Sequence, residues 1–232
     1  MAGETIKSRA ACLRITPWSR TSHVVAWLTP TGIVNTVVKG AVRPKSAFLG
    51  QYDLGYTCQI VYYAREHAEL RALRECWPLE LRCELRTDLD SLVLSDRFRR
   101  LCELLAPNGP DAAEWFDALE DSLDALCDNA IKSRESRANP CAMLIDFEMR
   151  TLRLAGIAPE ISEDGGVFSL RGERRLPVSA AVARCLMRPF AEKNTQILLD
   201  AARAVGVFYA FHVENAVDGR RQLLNMISRQ HS

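Results

Sequence analysis

With 232 residues, the chain is long enough to bury a substantial core in one large domain or two small ones. It is 48% hydrophobic and 25% charged, with a net charge of +1, so it is no polycation and any basic function must sit in a local patch. No run of eighteen apolar residues suggests a membrane span, and the N-terminus MAGETIKSRAACLRI lacks the basic-then-apolar layout of a signal peptide. Eight scattered cysteines without a CxxC pair read as reduced, mostly buried thiols, and the predicted location is the cytoplasm.

The charge is unevenly spread. The first fifty residues carry seven basic side chains and one acid, Glu4, whereas residues 81–135 hold thirteen acids against seven bases. Such asymmetry suggests an N-terminal end that faces a polyanion.

Taken in order, RAACLRI (9–15), HVVAWLT (23–29), GIVNTVVKG (32–40), GYTCQIVYYA (55–64) and LRALRECW (70–77) are rich in β-branched and aromatic residues and predict five strands. Thr16-Pro17 and Pro30-Thr31-Gly32 read as turns. VVKGAVRPKSAFLG (37–50) reads as a hairpin connection with three cations, Lys39, Arg43 and Lys45, and no acid. Five short strands in this span suit an OB barrel, although other small barrels fit the count nearly as well.

Near Pro78 the pattern changes. Leu89, Leu92, Leu94, Phe98, Leu101, Leu104 and Leu105 follow a helical spacing that ends at Pro107-Asn108-Gly109-Pro110. A second helix is predicted over 112–127 behind Asp111, with seven acids from Asp111 to Asp128 forming a solvated face. A third follows Asn139-Pro140 and stops at Gly156, then comes a small hairpin or irregular insert, and helices return at about 179–188, 190–204 and 205–226. The expected class is therefore α+β: a five-stranded barrel domain over 1–80, then a helical domain over 81–232 with an insert at about 157–178.

AACLRITPWSRTSHVVAWLTPTGIVNTVVKGAVRPKS resembles the N-terminal barrel of the RecO family of bacterial recombination mediators, through Pro17-Trp18, Leu28-Thr29, Lys39-Gly40-Ala41 and Arg43-Pro44-Lys45-Ser46. DFEMRTLRLAGIAPEI (146–161) and FHVENAVDGRRQLLNMI (211–227) resemble two further stretches of that family. The resemblance implies a nucleoid-associated, non-enzymatic protein that binds single- and double-stranded DNA and anneals complementary strands. It also implies help in loading RecA onto strands coated by single-stranded-DNA-binding protein, with RecR and that protein's C-terminal tail as partners.

Two departures stand out. Many relatives hold zinc through four cysteines in the insert, yet residues 157–180 here contain none, and no metal or other cofactor is expected. Ile145 and Asp146 also stand where some relatives carry basic residues before Phe147.

Lys39, Arg43 and Lys45 are the first candidates for neutralising phosphates, with Arg14 and Arg20 extending the track. Trp18, placed in a turn, is the best stacking platform, ahead of Trp27, Tyr62 and Tyr63. Arg174, Arg175, Arg220 and Arg221 form a second basic set, which a solvated helix face explains equally well. The four histidines have no paired carboxylate or nucleophile at an informative spacing, and no phosphate-binding glycine loop is present. The rival readings are an OB protein for RNA, separable by comparing matched DNA and RNA oligomers, and a metal-free enzyme with an interdomain cleft.

Overall fold

The computed structural model describes residues 4–64, 69–164, 166–172, 175–213 and 219–230. By its internal contacts the chain divides into two compact units, Met1–Cys83 with Arg99–Ala125, and Glu84–Phe98 with Leu126–Ser232.

In the first unit, β1 (Thr5–Ser19), β2 (Ser22–Thr29), β3 (Gly32–Val38), β4 (Thr57–Tyr63) and β5 (Arg71–Glu80) close into a barrel of order β1-β2-β3-β5-β4. β1 closes on β4 from Thr5↔Tyr63 to Ala11↔Thr57, and β3 meets β5 in a short parallel pairing at Thr36↔Arg71 and Val37↔Ala72. This is the expected OB arrangement. The barrel interior is packed with Ala10, Cys12, Val25, Trp27, Val34, Cys58 and Ile60, alternate residues along β1, β2 and β4, and with Leu73 and Cys76, which a register shift in the β4–β5 pairing sets three residues apart.

Two local expectations change. β1 does not turn at Thr16-Pro17 but runs through them to Ser19, with Pro17 opposite His23. Proline is tolerated there because β1 pairs with β4 only as far as Ala11, so beyond that point one edge carries no ladder. The segment after β3 is also no hairpin, since β3 and β4 are not neighbours in the barrel.

Residues 99–125, from helices α1 (Leu89–Leu105) and α2 (Ala112–Ile131), pack in this same unit. Gly109 N–H donates to Thr31 O at 3.0 Å, Ile33 N–H donates to Asn108 Oδ1 at 3.2 Å, and the Arg99 guanidinium donates to Leu13 O. Val25–Thr29 is buried at every position, Ala26 and Leu28 on the face away from the barrel interior included. A Cβ on Gly32, where φ is +122°, would overlap the Asn108 side chain, so this position favours glycine twice over.

The acidic helix is not solvated throughout. Glu120 is buried and accepts from Thr57 Oγ1 at 2.5 Å and from Arg9 Nη2 at 3.3 Å, while Arg82 donates to Asp124 at 2.6 Å and to Thr57 Oγ1 at 2.8 Å. Burial alone would lower the Arg82 pKa, but Asp124 and Glu120 more than offset it and raise it. Arg82 sits at φ +47°, a left-handed conformation that costs a non-glycine residue about 1 kcal/mol or more and persists because these bonds hold it.

The second unit contains the start of α1, the end of α2, α3 (Pro140–Leu154), α4 (Ala180–Met187), α5 (Thr195–His212) and α6 (Arg220–Gln230). Asp88 caps α1 by accepting from Ser91 N–H at 2.9 Å, and Asn139 caps α3 by accepting from Cys141 N–H at 2.9 Å, ahead of Pro140. α3 ends at Gly156, φ +70°, where Ile157 N–H reaches back to Leu152 O and Gly156 N–H to Arg153 O. The helix break expected between 204 and 205 is absent, since α5 continues to His212 and Gly206 lies inside it. Glycine stands there because of a close approach: a Cβ on Gly206 would overlap Arg220 Nη1.

The insert is a three-stranded antiparallel sheet, β6 (Glu160–Asp164), β7 (Val167–Arg171) and β8 (Arg175–Val178). It packs against α5 at Gly172, where a Cβ would come within 2.7 Å of Phe208 and 3.0 Å of His212, whose rings lie against each other.

Candidate nucleic-acid interface

β1 and β2 form a hairpin whose tight turn, Arg20-Thr21, lies beside the start of the 39–50 loop. Val42 N–H donates to Thr21 O at 3.4 Å, and Gly40 N–H donates to Ser22 Oγ at 3.2 Å. The loop itself is a succession of reverse turns, with Arg43 N–H to Gly40 O, Ser46 N–H to Arg43 O, Leu49 N–H to Ser46 O and Gln51 N–H to Phe48 O. Gly40 starts this path at φ +67°, with the Arg43 side chain folded over it. Lys39, Arg43 and Lys45 are exposed on the loop, and Arg20 is exposed on the turn bonded to it.

The same edge carries exposed apolar surface. Trp18 is 65% exposed on the last residues of β1, with Val42 and Leu49 exposed on the loop. In the same barrel, His23 Nδ1 and Tyr52 Oη are hydrogen-bonded at 2.8 Å and Tyr52 meets Trp27 edge-on. Cations and an open indole on one edge match what unpaired nucleic acid requires, charge for phosphate and a face for a base.

The other sequence candidates fare differently. Trp27 is fully buried and donates Nε1–H to Thr36 Oγ1 at 2.8 Å, and Tyr62 is buried, so neither offers a stacking face, while Tyr63 is partly exposed. Arg14 is exposed but donates to Glu103 at 2.8 Å and to Thr16 Oγ1 at 2.6 Å. Arg175 is half-exposed beside Asp164 at 3.6 Å and donates to Ser169, whereas Arg174 lies outside the described residues. Arg221 is exposed and lines a groove of about 540 Å³ between α5 and α6 with Arg203, Val207 and Leu224.

Arg220 is a correction. It is 5% exposed and donates to both oxygens of the buried Glu148, at 2.9 and 2.6 Å, and to Ala202 O at 2.6 Å. Arg97 completes the arrangement by donating to Glu148 Oε1 at 2.9 and 3.1 Å. Three of its five N–H donors are committed in this way, and its burial removes it from the solvent-facing track that a phosphate would follow. What the sequence reading missed was the anchor formed by Thr21 and Ser22. Only the β1–β2 register, closing at Ser19↔Ser22, places that turn against the loop, so no local signal marks it.

Among the described residues, no group of three or more His, Cys, Asp or Glu is placed to hold a metal ion. Burial pushes the Cys141 thiol up to about 12 and the Cys185 thiol up to about 11. Metal analysis of the purified protein is expected to find no stoichiometric zinc; about one zinc per chain that survives dialysis would refute this.

The fold and this edge define a protein built on an OB barrel, with helices and a small second sheet after it. No helix among the described residues is long and apolar enough to cross a membrane. The family model described as "Recombination protein O C terminal" matches residues 86–221, more than half of the chain. The protein described as "DNA repair protein RecO" from Salinibacter ruber is 25% identical over 204 residues, covering 80% of this chain and 75% of that protein. The chain belongs to the RecO family.

Proposed function

We propose that this protein is a recombination mediator that binds single- and double-stranded DNA through its barrel and anneals complementary strands. With RecR, it helps load RecA onto strands covered by single-stranded-DNA-binding protein. The observation that carries the reading is the hydrogen-bonded convergence of the Arg20-Thr21 turn with the Lys39–Lys45 loop. These two linked segments carry four exposed cations, the turn directly following the end of β1 with its exposed Trp18 and the loop directly following the end of β3. Annealing needs no nucleophile, because screening phosphates on two strands lowers their mutual repulsion and lets pairing proceed. In this reading the barrel, residues 1–80, is the DNA-binding domain. The helical part, 81–232, meets RecR and the tail of the coating protein, and Arg175 and Arg221 are secondary DNA contacts. Family membership supports the partner set, since RecO proteins are recombination mediators rather than enzymes.

The direct test is annealing of complementary oligonucleotides coated with single-stranded-DNA-binding protein. It is joined to capture of RecR and of the coating protein with and without its C-terminal residues. No annealing together with no capture would refute the mediator reading, and tighter binding to RNA than to matched DNA would favour an RNA-binding role.

Salt dependence separates the two kinds of contact. Four neutralised phosphates give a log–log slope of affinity against salt of roughly −3 for single strands. Trp18→Ala should weaken binding by about 1–3 kcal/mol at every salt concentration without changing the slope. Arg43→Ala should flatten the slope by about 0.7. If both variants keep the wild-type affinity and slope, DNA does not use this edge.

A further inference from the structure

We infer that Ser46 is a phosphorylation site whose modification switches the cationic loop off. The inference rests on the proposed role of that loop. Ser46 is the hydroxyl of Arg43-Pro44-Lys45-Ser46, with an arginine three residues before it and a lysine directly before it. Cations at those two positions are what a serine/threonine kinase with an acidic substrate groove pairs with.

The local geometry makes the hydroxyl usable. Ser46 is half-buried, and its Oγ accepts from Phe48 N–H at 3.2 Å, an arrangement that leaves the oxygen's own proton free to leave. Residues 43–49 are held by local turns, with links to Thr21 and Ser22 before them and the Cys58 and Cys76 thiols donating to Gln51 O after them. Phe48 packs on the barrel core, but no sheet ladder must break for residues 43–47 to enter a kinase cleft. In the transfer, Ser46 Oγ attacks the γ-phosphorus of a nucleoside triphosphate. The bond from that phosphorus to the β–γ bridging oxygen breaks, the diphosphate leaves, and the hydroxyl proton passes to the kinase's base.

The consequence follows from charge. A phosphoserine adds about −1.5 to −2 charge and three acceptor oxygens at neutral pH. Ser46 N–H already bonds Arg43 O at 2.9 Å, so the new phosphate lies within one turn of Arg43 and adjacent to Lys45. It takes those two cations from the DNA and leaves Lys39 as the loop's free cation. Losing two phosphate contacts lowers the salt slope by about 1.4 and the affinity at physiological salt about tenfold.

The test has two arms on the full chain. A basophilic serine/threonine kinase catalytic domain with ATP should phosphorylate the wild type at Ser46, as read by mass spectrometry, and Arg43→Ala should abolish the modification. Protein carrying phosphoserine at 46 should then bind labelled oligothymidylate about tenfold more weakly than wild type, while Ser46→Ala binds as wild type and all three melt alike. Absence of the modification, or its persistence in Arg43→Ala, overturns the inference. So does phosphoserine protein that binds within twofold of wild type; if the Lys39→Glu, Arg43→Glu variant has then lost binding, the loop's role survives alone. If that variant also binds normally, the loop is no DNA contact and both ideas fail.

Discussion

Replacing Lys39 and Arg43 together by glutamate is expected to lower affinity for single-stranded DNA about ten- to a hundredfold at physiological salt, equally for every sequence. Loss of two phosphate contacts accounts for about the first factor of ten, and the two new negative charges add repulsion. Uniformity across sequences follows because phosphate contacts carry no base information. Both side chains are exposed, so thermal stability should move by no more than about 0.5 kcal/mol. The measurement is a titration of labelled oligonucleotides of several sequences beside a thermal melt. Binding lost together with folding would make the loop structural, because its turns and its bonds to Thr21 and Ser22 would then depend on the substituted residues.

A second large effect is expected in the helical unit. Glu148 is fully buried between Arg97 and Arg220, and Tyr209 Oη donates to Glu148 O at 3.1 Å while bonding Thr151 Oγ1 at 2.6 Å. Glu148→Gln removes the negative charge that faces both the Arg97 and the Arg220 guanidinium in this buried site. Breaking a buried pair by deleting one partner costs about 3–5 kcal/mol, a large share of the roughly 5–15 kcal/mol that holds a domain folded. Urea unfolding would read the loss, and a change under about 1 kcal/mol would refute the assignment. Gly206→Ala should act in the same direction, because its Cβ would displace the Arg220 guanidinium.

The same carboxylate predicts a pH dependence. Burial alone would raise the Glu148 pKa, but Arg220 first and Arg97 second more than offset it and hold the carboxyl below its ordinary value. A group depressed on folding contributes stability in full above its unfolded pKa of about 4.3, and that contribution fades as pH falls through the folded value. The stability gap between wild type and Glu148→Gln should therefore be widest near neutral pH and narrow in acid.

Much of the fold was legible because strand and helix periods are local. β-branched alternation marked all five barrel strands, and leucine spacing with Asn139-Pro140 and Gly156 marked α1 and α3. One misplacement has a local cause as well. Pro17 reads as a turn unless the missing β4 neighbour is known.

The sequence by itself determined the strand and helix order, the cationic 39–50 segment, and the family likeness later borne out by the match over 86–221. The tertiary structure alone decided which charges and rings are free to act. Trp18 and Trp27 are nine residues apart on paired strands, yet one is 65% exposed and the other lies in the barrel core. Arg220 and Arg221 are adjacent and chemically identical, but successive residues on a helix point about 100° apart. One meets Glu148, 72 residues away, and the other faces solvent. Residue type and spacing report a side chain's own preference, whereas its availability depends on a partner that only the folded chain brings to it.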